Sequence, residues 1–264
     1  MFKKSIRLAL FSLGALILIS FLGGSVIWSV LGLSDDLSID GEASVVRSGT
    51  VGIGEGWPAY GGDQGGNRYS AAGQITSENV QDLEIAWTHQ TGALEGREEV
   101  IQRTAFETTP ILAEDSLIFC TQFNEVIAID PGTGEEKWRH DPEISLDLRP
   151  ANQFTCRGVS HWRDSDAEPE AVCASRIFTG TSDARLIALD ARTGELCPDF
   201  GDGGEVGIEP SLSLRWPGEF QITSAPAVIG DVIVTGSAIS DNLRLEAPQG
   251  TVHGFDARTG ELAW

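Results

Sequence analysis

The residues best suited to chemistry are one arginine and one acid–amide pair. Arg157 stands between Cys156 and Gly158 in a stretch poor in strand-forming residues. That setting reads as a site residue rather than a surface ion pair, since a guanidinium offers a fixed fork of donors to an anionic oxygen. Asp241 and Asn242 combine a carboxylate with an amide carbonyl, the hard oxygen donors that Ca²⁺ or Mg²⁺ takes. By itself, Ser240-Asp241-Asn242 reads first as a turn. Asp183 and Asp190 are acidic too, but both sit in a repeated turn pattern and are expected to be structural.

The cysteines offer less. Cys120, Cys156, Cys173 and Cys197 form no C-x-x-C pair, which excludes a thioredoxin-like centre, a zinc ribbon and c-type haem attachment. In an oxidising compartment they could pair as disulfides, Cys156 and Cys173 being close in sequence. Cys120, within the apolar run Leu117-Ile-Phe-Cys120, is expected to be simply a small buried residue.

These residues must be positioned by short strands. From Trp57 onward, apolar runs of four to six residues alternate with Gly, Asp, Thr and Pro: Ser116–Cys120, Glu125–Ile129, Arg176–Thr179, Arg185–Leu189, Ala225–Ile229 and Asp231–Thr235. Runs of that length bounded by turn formers predict an all-β domain. Three of them continue into one template: Val126-Ile-Ala-Ile-Asp130-Pro-Gly-Thr-Gly134 ending at Trp138, Leu186-Ile-Ala-Leu-Asp190-Ala-Arg-Thr-Gly194, and Val252-His-Gly-Phe-Asp256-Ala-Arg-Thr-Gly260 ending at Trp264. The three Asp are 60 and then 66 residues apart, a period that signals a propeller or solenoid. Trp87-Thr-His-Gln-Thr-Gly92 is a degenerate relative of the template. In each copy Asp can cap the turn, Thr-Gly completes it, and Trp is free to pack between neighbouring sheets.

The formal charge of −21, from 18 Lys+Arg against 39 Asp+Glu, argues against a nucleic-acid partner, which needs clustered cations. The N-terminus differs in kind. Lys3, Lys4 and Arg7 precede an uncharged run from Leu8 to Ser34. That run exceeds the roughly 20 residues of a membrane-crossing helix, so 1–34 is predicted to be a single transmembrane anchor with its basic flank cytoplasmic. Cleavage near Gly23-Gly24 is the alternative. Residues 35–55 read as a linker, and 56–264 as the exported domain in the periplasm, the anchor lying in the inner membrane.

The template resembles the tryptophan-docking motif of quinoprotein dehydrogenases that use pyrroloquinoline quinone (PQQ), which are eight-bladed β-propellers. Trp57-Pro-Ala-Tyr60, Asn67-Arg-Tyr-Ser70, Phe106-Glu107-Thr-Thr-Pro110, Thr155-Cys-Arg157-Gly-Val-Ser160 and Gly236-Ser237-Ala-Ile-Ser-Asp241-Asn242 make it similar to the membrane-bound glucose dehydrogenase type. The resemblance implies that Glu107, Arg157, Thr223 and Ser237 contact PQQ, and that Asp241 and Asn242 ligate Ca²⁺ or Mg²⁺. It implies oxidation of a sugar, polyol or cyclic alcohol, with electrons passed to membrane ubiquinone. Gln153 replaces a His found four residues before the Arg in the group, and Pro198 replaces the docking Trp of the second copy. At about 60 residues per repeat, Trp57–Trp264 holds only the first three to four blades, so the chain reads as a fragment, inactive alone, whose catalytic base is expected beyond residue 264. The competing reading is a non-enzymatic periplasmic propeller scaffold for protein partners, which would need neither Arg157 nor Asp241-Asn242.

Overall fold

The computed structural model describes residues 56–63, 65–208 and 214–264. The expected anchor 1–34 and linker 35–55 lie outside the described residues. Among the described residues no helix is long and apolar enough to cross a membrane.

The all-β expectation holds. The chain makes one short strand and then one sheet, three times over. Strand β1 (Thr104–Phe106) leads into an antiparallel sheet of β2 (Ile111–Ala113), β3 (Ser116–Cys120), β4 (Val126–Ile129) and β5 (Glu136–His140). Strand β6 (Phe154–Cys156) leads into a second sheet of β7 (Ser160–Arg163), β8 (Ser175–Gly180), β9 (Arg185–Asp190) and β10 (Glu205–Gly207). Strand β11 (Phe220–Gln221) leads into a third round of β12 (Ala227–Ile229), β13 (Val232–Gly236), β14 (Ala238–Ile239) and β15 (Val252–Asp256). Here β12, β13 and β15 form the sheet, while β14 turns back to pair with β11. Pro226 explains why the run Ala225–Ile229 enters the ladder only at Ala227, since proline has no N–H to donate.

Side chains alternate between the two faces of each sheet, and in the first two sheets both faces are covered. Ile118, Cys120 and Ala128 of the first sheet pack with Ile177, Ile187 and Leu189 of the second. Phe119, Ile127 and Ile129 point the other way, toward Trp87. In the second sheet Phe178, Leu186 and Ala188 turn toward Phe220, Ile233 and Phe255 of the third. Burial on both faces is why these strands read as unbroken apolar runs rather than alternating ones.

The three Asp-Thr-Gly copies adopt one conformation. Asp130 N–H donates to Glu135 O at 2.8 Å, as Asp190 does to Glu195 at 2.8 Å and Asp256 to Glu261 at 2.9 Å. Each Asp Oδ1 accepts from the two backbone N–H groups that follow, those of Gly132 and Thr133 in the first copy, Arg192 and Thr193 in the second, and Arg258 and Thr259 in the third. These bonds from Thr133 and Gly132 hold the Asp130 carboxyl below its ordinary range.

Docking runs from one copy to the next. Trp87 lies on Gly134 and Trp138 on Gly194, so closely that a methyl group there would sit 2.5 Å and 2.4 Å from the indole rings. Both glycines also have positive φ, 75° and 73°. The second copy, with Pro198 in place of Trp, docks differently. Val206 and the backbone of Gly201 fill the place over Gly260, and Gly201 N–H donates to Thr259 O at 2.8 Å. Buried Arg176 reinforces this joint, donating to Arg258 O at 2.7 Å and Ala257 O at 3.2 Å. Arg258 lies over the Trp162 ring and pairs with Asp164 and Asp231, which keeps its guanidinium charged.

The cysteines correct the reading of the sequence. Cys120 is bonded to Cys156, and Cys173 to Cys197, with no free cysteine among the described residues. Proximity in sequence does not decide the pairing here. Cys120 and Cys156 end strands from successive rounds of the chain that the fold brings to 6.0 Å between Cα atoms. Cys120 is fully buried as expected, but not as a free apolar residue.

Candidate cofactor site

The two leading strands β1 and β6 pair in parallel, Thr104 with Phe154, Ala105 with Thr155 and Phe106 with Cys156. One step further, Glu107 and Arg157 leave the ladder side by side. Arg157 Nε lies 3.2 Å from Glu107 Oε2, and Thr155 Oγ1 donates to the same carboxylate oxygen at 3.3 Å. The third round supplies Thr223, whose carbonyl accepts from Arg157 N–H at 2.9 Å and whose hydroxyl accepts from Arg157 Nη1 at 2.7 Å. Thr109 N–H in turn donates to Arg157 O at 3.1 Å. Three successive rounds of the fold are thereby stitched together at Arg157.

Gly158 permits this closeness. Its φ is +153°, and a methyl group there would meet Thr109 O at 3.3 Å. The site is fixed from behind and open in front. Thr155 and Thr223 are buried, whereas the Arg157 and Glu107 side chains are 44% and 40% exposed. Two of the three guanidinium nitrogens are engaged, which leaves Nη2 to donate to an incoming anionic oxygen. The donor set suits PQQ, whose carboxylates and quinone oxygens need cations and hydrogen-bond donors.

Three of the four residues expected at the cofactor, Glu107, Arg157 and Thr223, are brought together. Ser237 directly precedes β14, which pairs with β11 just ahead of Thr223, and its hydroxyl is engaged by Thr251, donating to Thr251 O at 3.0 Å and accepting from Thr251 N–H at 2.8 Å. Thr155 and Thr108 were missed as site residues. Their only signal was adjacency to Cys156 and Glu107.

Asp241 and Asn242 lie together on an exposed turn closed by Leu243 N–H on Ser240 O at 3.1 Å. They line a groove of about 530 Å³ shared with Arg244 and Gln249. Arg244 is held there by the buried carboxylate of Glu219, whose ionised form it favours. An acid–amide pair offers only two of the roughly six to eight oxygens that Ca²⁺ takes. Among the described residues no group of three or more His, Cys, Asp or Glu is placed to hold a metal ion, so Asp241 and Asn242 do not by themselves complete a metal centre.

Asp183 and Asp190 take the structural places expected of them. Asp183 accepts from Thr181 Oγ1 at 2.5 Å and pairs with Arg185, and Asp190 caps its turn. Neither touches Arg157.

Sheets packed face to face and docked through Trp and Gly, with leading strands that gather at the Glu107–Arg157–Thr223 cluster, define a β-propeller with a candidate cofactor site. The family profile described as "PQQ: Glucose/ethanol/alcohol dehydrogenase, beta-propeller domain" matches residues 57–264, and the chain belongs to that family. It is 35% identical over 247 residues to quinoprotein glucose dehydrogenase A of Acinetobacter calcoaceticus, covering 88% of this chain and 31% of that protein. It is 38% identical over 208 residues to the glycerol dehydrogenase large subunit of Gluconobacter thailandicus, covering 79% of this chain and 28% of that protein. Among solved structures, the quinohemoprotein alcohol dehydrogenase of Comamonas testosteroni matches with a TM-score of 0.60 at 28% identity, over 82% of this chain and 28% of that chain. The chain thus spans about a third of the length of the relatives it matches. Of the two readings of the propeller, enzyme and scaffold, the family falls on the enzyme side.

Proposed function

We propose that the chain supplies one wall of the PQQ site in a quinoprotein dehydrogenase that oxidises a sugar, polyol or cyclic alcohol. The convergence of Glu107, Arg157 and Thr223 from three rounds of the propeller is the observation that carries this reading. Bound PQQ would supply the two-electron oxidant. Arg157 would bind and orient its anionic edge through the free Nη2, with Glu107 and Thr223 fixing the guanidinium plane. Glu107 also balances the charge of Arg157, and Thr155 holds Glu107 against rotation.

Asp241 and Asn242 would provide two oxygens toward Ca²⁺ or Mg²⁺, and Ser237 a further cofactor contact, all on the strength of the resemblance. The same resemblance supports an eight-bladed ring, a periplasmic domain held at the inner membrane by residues 1–34, and ubiquinone as acceptor. Reconstitution of the full-length gene product with PQQ and Ca²⁺ or Mg²⁺, followed by dye reduction across a panel of sugars, polyols and cyclic alcohols, tests the reading. PQQ-dependent turnover of at least one alcohol is expected. No cofactor binding and no turnover would overturn it.

A further inference from the structure

We infer that Cys120 is the positioning residue of the Glu107–Arg157 pair, holding the strand of each. The inference rests on the PQQ reading above for one of its two readouts. Cys120 ends β3 in the first sheet and is fully buried. Its backbone N–H donates to Thr108 Oγ1 at 3.3 Å, and its Sγ lies 3.4 Å from the same hydroxyl. Its sulfur is bonded to Cys156. Thr108 follows Glu107 directly, and Cys156 directly precedes Arg157. One residue therefore grips both chains at the point where the acid and the guanidinium emerge.

The ladder alone does not do this. The β1–β6 pair has three rungs and no third strand, and an isolated two-stranded ribbon is marginal in water. Arg157 N–H on Thr223 O and Thr109 N–H on Arg157 O add two further backbone bonds, but half-exposed Arg and Glu side chains pair weakly unless both strands are fixed. The covalent tie one residue from Arg157 adds that constraint between β3 and β6. The second disulfide offers an internal control. Cys173 and Cys197 both belong to the second round, where Cys173 N–H donates to Asp190 Oδ2 at 2.7 Å and Cys197 N–H to Ala188 O at 2.9 Å. Neither disulfide partner there contacts Glu107, Arg157 or Thr223. The two bridges span 36 and 24 residues, and closure entropy grows only with the logarithm of loop length, so their general stabilising effects are similar.

The test compares Cys120→Ala/Cys156→Ala with Cys173→Ala/Cys197→Ala in the full-length protein. Thermal midpoint, PQQ affinity by titration, and the rate at which phenylglyoxal modifies Arg157, read by peptide mass spectrometry without cofactor, are measured for each. Both double variants should lose similar thermal stability. Only the first should weaken PQQ binding by at least about tenfold and speed Arg157 modification several-fold, because an unheld charge-assisted contact is lost. Thr108→Val, which keeps the disulfide, should show a smaller loss of the same kind, and Thr108→Ser should restore it. These two variants carry the test if the first does not fold. Equal effects from both disulfides, or an unchanged Arg157 modification rate in the Cys120/Cys156 and Thr108→Val proteins, would overturn the inference. A wild-type protein that fails to bind PQQ while Arg157 modification still responds would overturn the cofactor reading and leave the positioning role standing.

Discussion

Glu107 stands one step beyond Phe106 in the parallel ladder that sets Phe106 against Cys156, and there its carboxylate meets Arg157 Nε at 3.2 Å. Acid and guanidinium are 50 residues apart in the chain yet emerge from neighbouring strands in register. The pair is a product of strand alignment.

Replacing the guanidinium should therefore damage binding more than replacing its partner. Arg157→Lys keeps the charge but loses the fork that reaches Glu107, Thr223 and a third acceptor at once. Isothermal titration with PQQ is expected to show at least about tenfold weaker binding for Arg157→Lys, given roughly 1.5–3 kcal/mol for a charged hydrogen bond. Glu107→Gln should fall less, since Thr155 and Arg157 still find an acceptor in the amide.

The docking glycines make a sharper prediction about stability. At Gly134 or Gly194 an alanine methyl would overlap an indole ring and hold a left-handed backbone. The two penalties together amount to about 2–4 kcal/mol. Gly230→Ala shares the positive φ, 58°, but meets no atom within 4 Å, so only about 1 kcal/mol should be lost. Denaturant midpoints of the three variants measure the difference, which isolates the steric part of Trp docking.

Stability should fall in mild acid through His161. Burial pushes this imidazole down to about 4, with Arg163 adding to the effect and Glu114 opposing it. Its Nε2 lies 2.7 Å from Ser175 Oγ, which in turn donates to Glu114 at 2.7 Å across the joint between the first two sheets. Between pH 6.5 and 4 the unfolded chain binds a proton that the folded chain does not, so stability declines as pH falls through that window. The full effect is on the order of 3 kcal/mol. Unfolding curves at pH 7 and pH 4.5 should show it, and His161→Gln should flatten the difference.

Restoring the missing tryptophan should not help. In the second copy Val206 and Gly201 already occupy the place over Gly260, and Cys197 beside Pro198 is locked in a disulfide. Pro198→Trp is expected to leave the thermal midpoint unchanged or lower it. Val206→Ala, which empties part of that place, should cost about 1–2 kcal/mol.

Much of the fold was legible because its information is local. Asp130, Asp190 and Asp256 each cap their own turn within three residues, so the repeat could be read from one segment at a time. Apolar runs such as Ser116–Cys120 marked strands because both faces of the first two sheets are buried. The substitute docking of the second copy was not legible, because Val206 and Gly201 lie several residues past Pro198 and reach Gly260 only after β10 folds back onto β9.

The sequence by itself determined the all-β class, the repeat and its turn chemistry, since these depend on residue type and short spacing. It also marked Arg157, whose position between Cys and Gly is unusual for a strand. Only the tertiary structure decided which residues share space. It paired Cys120 with Cys156 and Cys173 with Cys197, joined Glu107, Arg157 and Thr223 into one cluster, and turned the Ser237 hydroxyl toward Thr251. Those contacts depend on the register of strands from different rounds, a long-range property that no single segment of the chain encodes.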